Sequence, residues 1–204
     1  MKTTHVRLHR AVLAVLAAVF VSTGLPAHAE APAGAAVDPR GAHTVVDMLA
    51  RGKYIVSTSG CHDCHTPWHM GPKGPEPDMT RALSGHPQDF ALPPPPKVDE
   101  PWVMTAAATN TAWAGPWGIS FTANLTPDPE TGLGKWTLRN FMETIRTGRH
   151  MGRGRPVLPP MPVMVYRNWT DADFEAVFTY LQSIPAIKNR VPEPIAPAAP
   201  MAAK

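Results

Sequence analysis

Cysteine is scarce in this chain, since Cys61 and Cys64 are the only two among 204 residues. A structural zinc site needs four ligands, usually from a second cysteine or histidine pair at similar spacing. His62 and His69 could contribute, but no second pair of that kind follows. A thioredoxin-like redox pair requires a βαβ setting, and no strand and helix patterns alternate here. The sequence also contains no acid/base pair or nucleophile constellation that would favour an enzyme.

The two cysteines belong to one C-x-x-C-H pentapeptide, residues 61–65, and this motif is typical of covalent haem attachment. The thiols of Cys61 and Cys64 can each add to one vinyl group of the porphyrin. The next residue, His65, can offer an imidazole nitrogen to the iron, whereas a simple disulfide would not require a histidine there. Because the motif occurs once, we predict one covalently attached haem c.

Residues 1–29 have the pattern of a secretory signal peptide. Lys2, Arg7 and Arg10 precede an apolar run over residues 11–25, and small residues end the segment at Ala27-His28-Ala29. We therefore expect a periplasmic or otherwise exported protein, associated with a membrane only if the segment is not cleaved. Residues 1–29 hold three of the 19 basic residues and no acidic one, so the remainder has 16 of each sign. No basic footprint for nucleic acid is left.

Proline is abundant, with 25 residues, so much of the chain is expected to be irregular. Residues 30–43 are predicted to be a flexible N-terminal segment and residues 191–204 a disordered tail rich in proline and alanine. What lies between suffices for one domain, residues 44–190, with a modest core.

Three segments have the apolar periodicity of helices. The first runs from about Thr44 to Ser57 and leads directly to the haem motif. The second begins at Thr137 and stops at Gly148, and the third follows Thr170 and ends before Pro185. Gly52 lies on the apolar face of the first helix, at a cost of about 1 kcal/mol relative to alanine. Close approach of the third helix would explain it, although a merely tolerated glycine is the alternative.

The chain resembles the class I c-type cytochromes, particularly bacterial monohaem domains, over about residues 44–192. The resemblance includes the haem motif and the residues around it, a central segment near Trp136, and the third helix. Its individual parts are Arg51-Gly52-Lys53-Tyr54, Cys61 to His65 with Thr66-Pro67, Asn124-Leu125-Thr126-Pro127-Asp128, Thr131-Gly132-Leu133-Gly134, Pro160-Met161-Pro162, Tyr166 and Tyr180-Leu181.

The resemblance implies an all-α cytochrome c fold, in which the N- and C-terminal helices cross around one covalently attached haem. A long insertion, residues 68–120, departs from the family pattern and is expected to be irregular. Because of it, the carbonyl that accepts the proton on the far nitrogen of His65 stays open.

Met161 is the predicted sixth ligand of the iron, opposite His65. It lies in Leu158-Pro159-Pro160-Met161-Pro162, a stiff segment that cannot be helical and can hold a thioether in place. Its position before the third helix also matches the axial methionine of the family. The competing candidates are Met164, Met151, His150 and Met104.

With both axial positions filled, the predicted function is single-electron transfer by an exported carrier rather than catalysis. The expected partners are redox proteins, with a dehydrogenase as donor and an oxidase or cytochrome as acceptor. The alternatives are a haem c electron-transfer subunit of a dehydrogenase complex, for which the insertion supplies a docking face, or a haem enzyme or sensor with an open sixth position.

Covalent attachment gives the first testable prediction. The mass of the exported protein should exceed that of its polypeptide by one haem, and the haem should survive acid–acetone extraction, because thioether bonds do not dissociate. Replacing both Cys61 and Cys64 with alanine should make any bound haem extractable. Extractable haem in the unaltered protein, or bound zinc without haem, would contradict the prediction.

Overall fold

The computed structural model describes residues 44–98 and 100–197. The predicted signal peptide 1–29, the predicted flexible segment 30–43 and the end of the predicted tail, residues 198–204, lie outside them. The described chain contains helices at both ends and short strands between. In chain order these are α1 (Val45–Thr58), α2 (Cys61–His65), β1 (Trp68–Gly71), β2 (Gly74–Pro77), β3 (Thr105–Ala106), β4 (Ala112–Gly115), β5 (Gly118–Phe121), α3 (Leu138–Thr147), α4 (Val163–Tyr166) and α5 (Asp171–Ser183).

The three long helices begin where their capping residues predict. The hydroxyls of Thr44, Thr137 and Thr170 accept the backbone N–H three residues later, in α1, α3 and α5 respectively. Such a cap satisfies an N–H that the first helical turn leaves without a partner. α3 ends at Gly148, whose backbone is left-handed with φ 67°. The predicted helix limits are thus confirmed to within about two residues.

The first and last helices, α1 and α5, pack directly against each other. A Cβ on Gly52 would overlap the carbonyl oxygen of Ala176 and lie 2.7 Å from Cβ of Tyr180. The glycine therefore permits a backbone approach that no other residue allows. Next to this contact lies the apolar core, whose buried side chains include Ile55, Val56, Phe174, Val177 and Leu181.

The segment 68–120 contains two small antiparallel sheets, which corrects the expectation of an irregular insertion. β1 pairs with β2, and β4 pairs with both β3 and β5. Each hairpin turns through a Gly-Pro-x-Gly sequence, at residues 71–74 and 115–118, where the two glycines of each turn pair. Proline at the second and glycine at the fourth position are typical of tight turns. The described residues are therefore a mixture of helices and small sheets, not helices alone.

The first residues of the predicted disordered tail are held against this sheet. Ile195 exchanges two backbone hydrogen bonds with Ile119 of β5, at 2.8 and 2.9 Å. A proline-rich composition is compatible with this arrangement because a single pair of residues, neither of them proline, makes both bonds. Ile195 thus pairs with β5 although it lies beyond the predicted domain limit at residue 190.

None of the helices formed by residues 44–98 and 100–197 is long and apolar enough to cross a membrane.

The α1–α5 contact gives a second prediction. Gly52→Ala should lower the free energy of unfolding by about 2 kcal/mol, because the added methyl group must separate two packed backbones. Helix propensity alone predicts a gain of about 1 kcal/mol, so the sign of the change is diagnostic. Denaturant unfolding measures it. The control Ser57→Ala, on the exposed face of the same helix, should change stability by no more than about 0.5 kcal/mol. A stabilised Gly52→Ala protein would refute close packing.

Candidate functional site

The haem motif forms the short helix α2, immediately after α1. Its Cys61, Cys64 and His65 all line one cavity of about 800 Å³. The cysteines are three residues apart and so lie on the same face of the helix. Residues 59–60 form the turn that joins α1 to α2. The phenol of Tyr166 donates a hydrogen bond to the carbonyl oxygen of Ser59 and so connects this turn to α4.

His65 is buried, and the structure supplies the acceptor that the sequence left open. Its Nδ1 lies 2.8 Å from the carbonyl oxygen of Ala123. A carbonyl can only accept, so Nδ1 carries the proton and Nε2 has the free lone pair. Burial lowers the pKa of His65, so the imidazole is neutral near pH 7. A neutral, oriented imidazole is the form that binds a metal.

Gly85, in the insertion, brings the acceptor to the histidine. Its N–H donates to the carbonyl oxygen of His65 at 2.8 Å. Its φ is 77°, and a Cβ at this position would lie 2.6 Å from the carbonyl carbon of Ala123. The insertion thus runs between α2 and residues 122–125 and links them. No sequence pattern points to Ala123, because the group that acts is a backbone carbonyl.

The pKa values of the two thiols are shifted in the opposite direction from those of a redox-active pair. Burial raises the pKa of the Cys61 thiol to about 11 and also raises the pKa of Cys64. Both thiols are therefore protonated at neutral pH, whereas reactive cysteines have lowered pKa values.

A zinc site finds no support either. His62 Nδ1 lies 2.9 Å from the hydroxyl of Thr66, and His69 Nε2 lies 3.4 Å from a carboxylate oxygen of Glu76. Within residues 44–98 and 100–197, no group of three or more His, Cys, Asp or Glu side chains could hold a metal ion.

The cavity has a mostly apolar wall, built from residues of the first helices and from residues 120–194. The apolar side chains come from four helices, from β5, from the loop between β5 and α3, and from the segment before α4. They include Val56, Val177 and Leu181 from α1 and α5, Phe141 and Ile145 from α3, Tyr166 from α4, Phe121 from β5, and Leu125, Leu133, Trp136 and Leu158 from the loops. A cavity of this volume and lining suits a large apolar cofactor.

One buried polar atom in the wall has no partner within the described residues. The hydroxyl oxygen of Thr122 is buried and forms no hydrogen bond with them, and Thr122 lines the cavity. Buried polar atoms in native proteins nearly always have a partner, so this hydroxyl fits a site where a bound group completes the wall.

Charged residues lie on another part of the wall. Arg155 and Arg190 line the cavity together with Glu193, and Arg155 Nε lies 3.3 Å from a carboxylate oxygen of Glu193. His150 lies beside them with its ring edge-on to Trp136, 5.1 Å between ring centres. Burial, together with the positive charge of Arg155, lowers the pKa of His150. No sequence pattern points to Arg190 and Glu193, which lie at the predicted domain limit or beyond it.

The structure separates the candidates for the sixth ligand. Met161 is partly buried and lines the cavity, as does His150. Met164 has 71% of its surface exposed, and Met104 and Met151 are also exposed, and none of these three lines the cavity. The four site residues predicted from the sequence, Cys61, Cys64, His65 and Met161, are thus brought to one cavity, with His150 as the rival that shares it.

Comparison with known proteins finds relatives among bacterial dehydrogenase components. The chain is 30% identical to a nicotinate dehydrogenase subunit of Pseudomonas putida over 173 residues, 84% of this chain and 11% of that protein. It is 26% identical to the cytochrome c subunit of the alcohol dehydrogenase (quinone) of Gluconobacter oxydans over 149 residues, 72% of this chain and 24% of that protein. It is 33% identical to the gluconate 2-dehydrogenase cytochrome c subunit of Pantoea cypripedii over 133 residues, 65% of this chain and 22% of that protein.

The chain spans about a quarter or less of the length of these relatives. No family model matches it. Two of the three relatives are cytochrome c subunits by name, and this similarity agrees with the resemblance that the haem motif suggested.

Proposed function

We propose that residues 44–197 form a haem c electron-transfer unit that serves a dehydrogenase, with one haem in the cavity described above. The observation that carries the proposal is the meeting of three distant chain segments at that cavity. Cys61, Cys64 and His65 come from α2, the acceptor for His65 comes from residue 123, and Met161 comes from the loop before α4. The resemblance to class I monohaem cytochromes supports a single haem and a cytochrome c fold of the helical parts.

The residues present fit a covalently attached haem. The thiols of Cys61 and Cys64 would form the thioether links, His65 Nε2 would be the proximal iron ligand, and the sulfur of Met161 the distal one. The positive charges of Arg155 and Arg190 suit the carboxylates of the haem propionates. The bound haem supplies an iron that alternates between ferric and ferrous states.

The protein residues determine what that iron can do. Neutral His65 and the uncharged thioether of Met161 add no charge, and a thioether ligand favours the ferrous state and so raises the potential. The apolar wall keeps water away, which also disfavours the extra charge of the ferric state. With His65 Nε2 and the sulfur of Met161 both holding the iron, no position would remain for a substrate. The unit therefore transfers electrons and does not catalyse a reaction on its own.

The relatives favour a unit that serves a dehydrogenase over a carrier that diffuses freely between many partners. The alcohol and gluconate dehydrogenase relatives are named as cytochrome c subunits, and a further relative is the fructose dehydrogenase cytochrome subunit of Gluconobacter japonicus. In this proposal the catalytic subunit reduces the haem, and an oxidase or another cytochrome accepts the electron. The basic and apolar pattern of residues 1–29 supports an exported, periplasmic location.

The axial ligand gives the third prediction. Met161→Ala should abolish the weak near-infrared band of sulfur–ferric iron ligation, lower the reduction potential, and allow the ferrous protein to bind carbon monoxide, because it removes the thioether. Met164→Ala is the matched control and should leave all three properties unchanged, since that side chain is exposed.

His150→Ala distinguishes the rival that shares the cavity. Loss of the oxidised low-spin spectrum in this variant but not in Met161→Ala would assign the sixth ligand to His150. An unaltered protein that lacks the band and binds carbon monoxide readily would have an open iron, and a haem enzyme or sensor would then replace the electron-transfer unit.

The partnership gives the fourth prediction. The protein isolated from its native host under mild conditions should be bound to a larger dehydrogenase subunit. The substrates in the relatives' names are alcohol, fructose, gluconate and nicotinate, and each is added in turn. One of them should reduce the haem within seconds, and visible absorbance records the reduction. A heat-treated preparation serves as the control. A monomeric native mass, with no reduction by any of the four, would instead indicate the free carrier.

A further inference from the structure

The loop that carries Met161 makes few hydrogen bonds of its own. Three of the residues in 157–162 are prolines, which have no N–H to donate. The loop starts with a bond from the N–H of Val157 to the carbonyl oxygen of Gly148 at 2.8 Å. Within it, the N–H of Met161 reaches the carbonyl oxygen of Leu158 only at 3.3 Å, while the carbonyl oxygen of Met161 accepts from the N–H of Val163 at 2.8 Å. Pro159, before Met161, is held by a contact from outside the loop.

A serine of the insertion makes such a contact. The hydroxyl of Ser120, on β5, donates to the carbonyl oxygen of Pro159 at 2.6 Å. The same hydroxyl lies 3.4 Å from the carbonyl oxygen of Trp113. It has only one hydrogen to donate, so the shorter contact takes it. Ser120 is 7% exposed and the bond is partly buried, so water competes for it less than for a bond on the surface.

The strand that carries Ser120 is fixed on both sides. On one side β5 pairs with β4, with Ser120 opposite Trp113. On the other side the neighbouring residue Ile119 exchanges two backbone bonds with Ile195. The donor therefore belongs to a strand with backbone bonds on both sides, whereas the acceptor Pro159 has no N–H of its own to donate.

We infer that Ser120 is a positioning residue for the sixth iron ligand, and that through it the insertion holds the Met161 loop against the haem cavity. This inference rests on the proposed ligation by Met161, two residues after the carbonyl that Ser120 binds. It assigns the small sheet of residues 105–121 a part in tuning the iron.

The expected effect follows from the equilibrium between ligated and detached Met161. An added ligand such as imidazole binds ferric iron only when the methionine is detached, so its apparent affinity is proportional to the detached fraction. Losing one neutral hydrogen bond should raise that fraction roughly fivefold. The free energy of global unfolding need not change in parallel, because only the loop has to open.

The experiment is an imidazole titration of the ferric protein, followed by loss of the near-infrared sulfur–iron band. Ser120→Ala should bind imidazole about fivefold more tightly than the unaltered protein. Ser183→Ala is the matched control. It removes a serine hydroxyl that donates to a carbonyl 2.7 Å away, at the exposed end of α5, and should leave the affinity unchanged. Ser120→Thr keeps the hydroxyl and should restore the original affinity.

A second pair of variants covers the case in which Ser120→Ala is not recovered. Ser120→Thr and Ser120→Val have nearly the same shape and differ by one hydroxyl, so Val should bind imidazole about fivefold more tightly than Thr. The inference would be overturned if Ser120→Ala bound imidazole as the unaltered protein does, and Ser120→Val as Ser120→Thr does. It would also be overturned if neither Ser120→Ala nor Ser120→Val retained haem, because the hydroxyl would then serve the whole fold.

The same titration separates this inference from the proposed function. If the unaltered protein shows no sulfur–iron band, the ligation by Met161 is wrong. If the band is present and responds to Met161→Ala but not to Ser120→Ala, only the role of Ser120 is wrong.

Discussion

The close packing of α1 against α5 is the constraint on which the rest of the structure depends. α1 ends three residues before Cys61, so its position fixes the start of the haem motif. α5 supplies Val177 and Leu181 to the wall of the same cavity. Gly52 allows the two backbones to touch, and Tyr166 reaches from α4 to the carbonyl of Ser59. A wider separation of the helices would therefore change the cavity and displace the motif together.

Burial is the main influence on the chemistry of the site. It raises the pKa of both thiols and lowers that of His65, while the hydrogen bond to Ala123 acts on the histidine in the opposite direction. Desolvation prevails because the group that opposes it is a neutral carbonyl rather than a charged carboxylate. The consequence is that Cys61, Cys64 and His65 are uncharged at neutral pH, which suits the apolar part of the cavity and a centre that changes its own charge by one electron.

The insertion is where prediction from the sequence was least successful. The proline run at residues 93–96 suggested irregular structure, and these residues have no regular secondary structure. The two Gly-Pro-x-Gly turns on either side of the run were signals for hairpins that could have been recognised. Neither signal shows that Gly85 would approach Ala123 or that Ser120 would bind Pro159, because those contacts join residues 38 and 39 positions apart.

Local features of the sequence by themselves determined the three long helices, through their threonine caps and apolar periodicity, and the identity of Cys61, Cys64 and His65 as a motif. Those features depend on neighbours within a few residues, and such interactions are present in any context. The tertiary structure decided which carbonyl orients His65, that Met161 lines the cavity while Met164 faces solvent, and that Ile195 pairs with β5. These outcomes depend on contacts between distant segments, which become favourable only when the packed helices bring their backbones together.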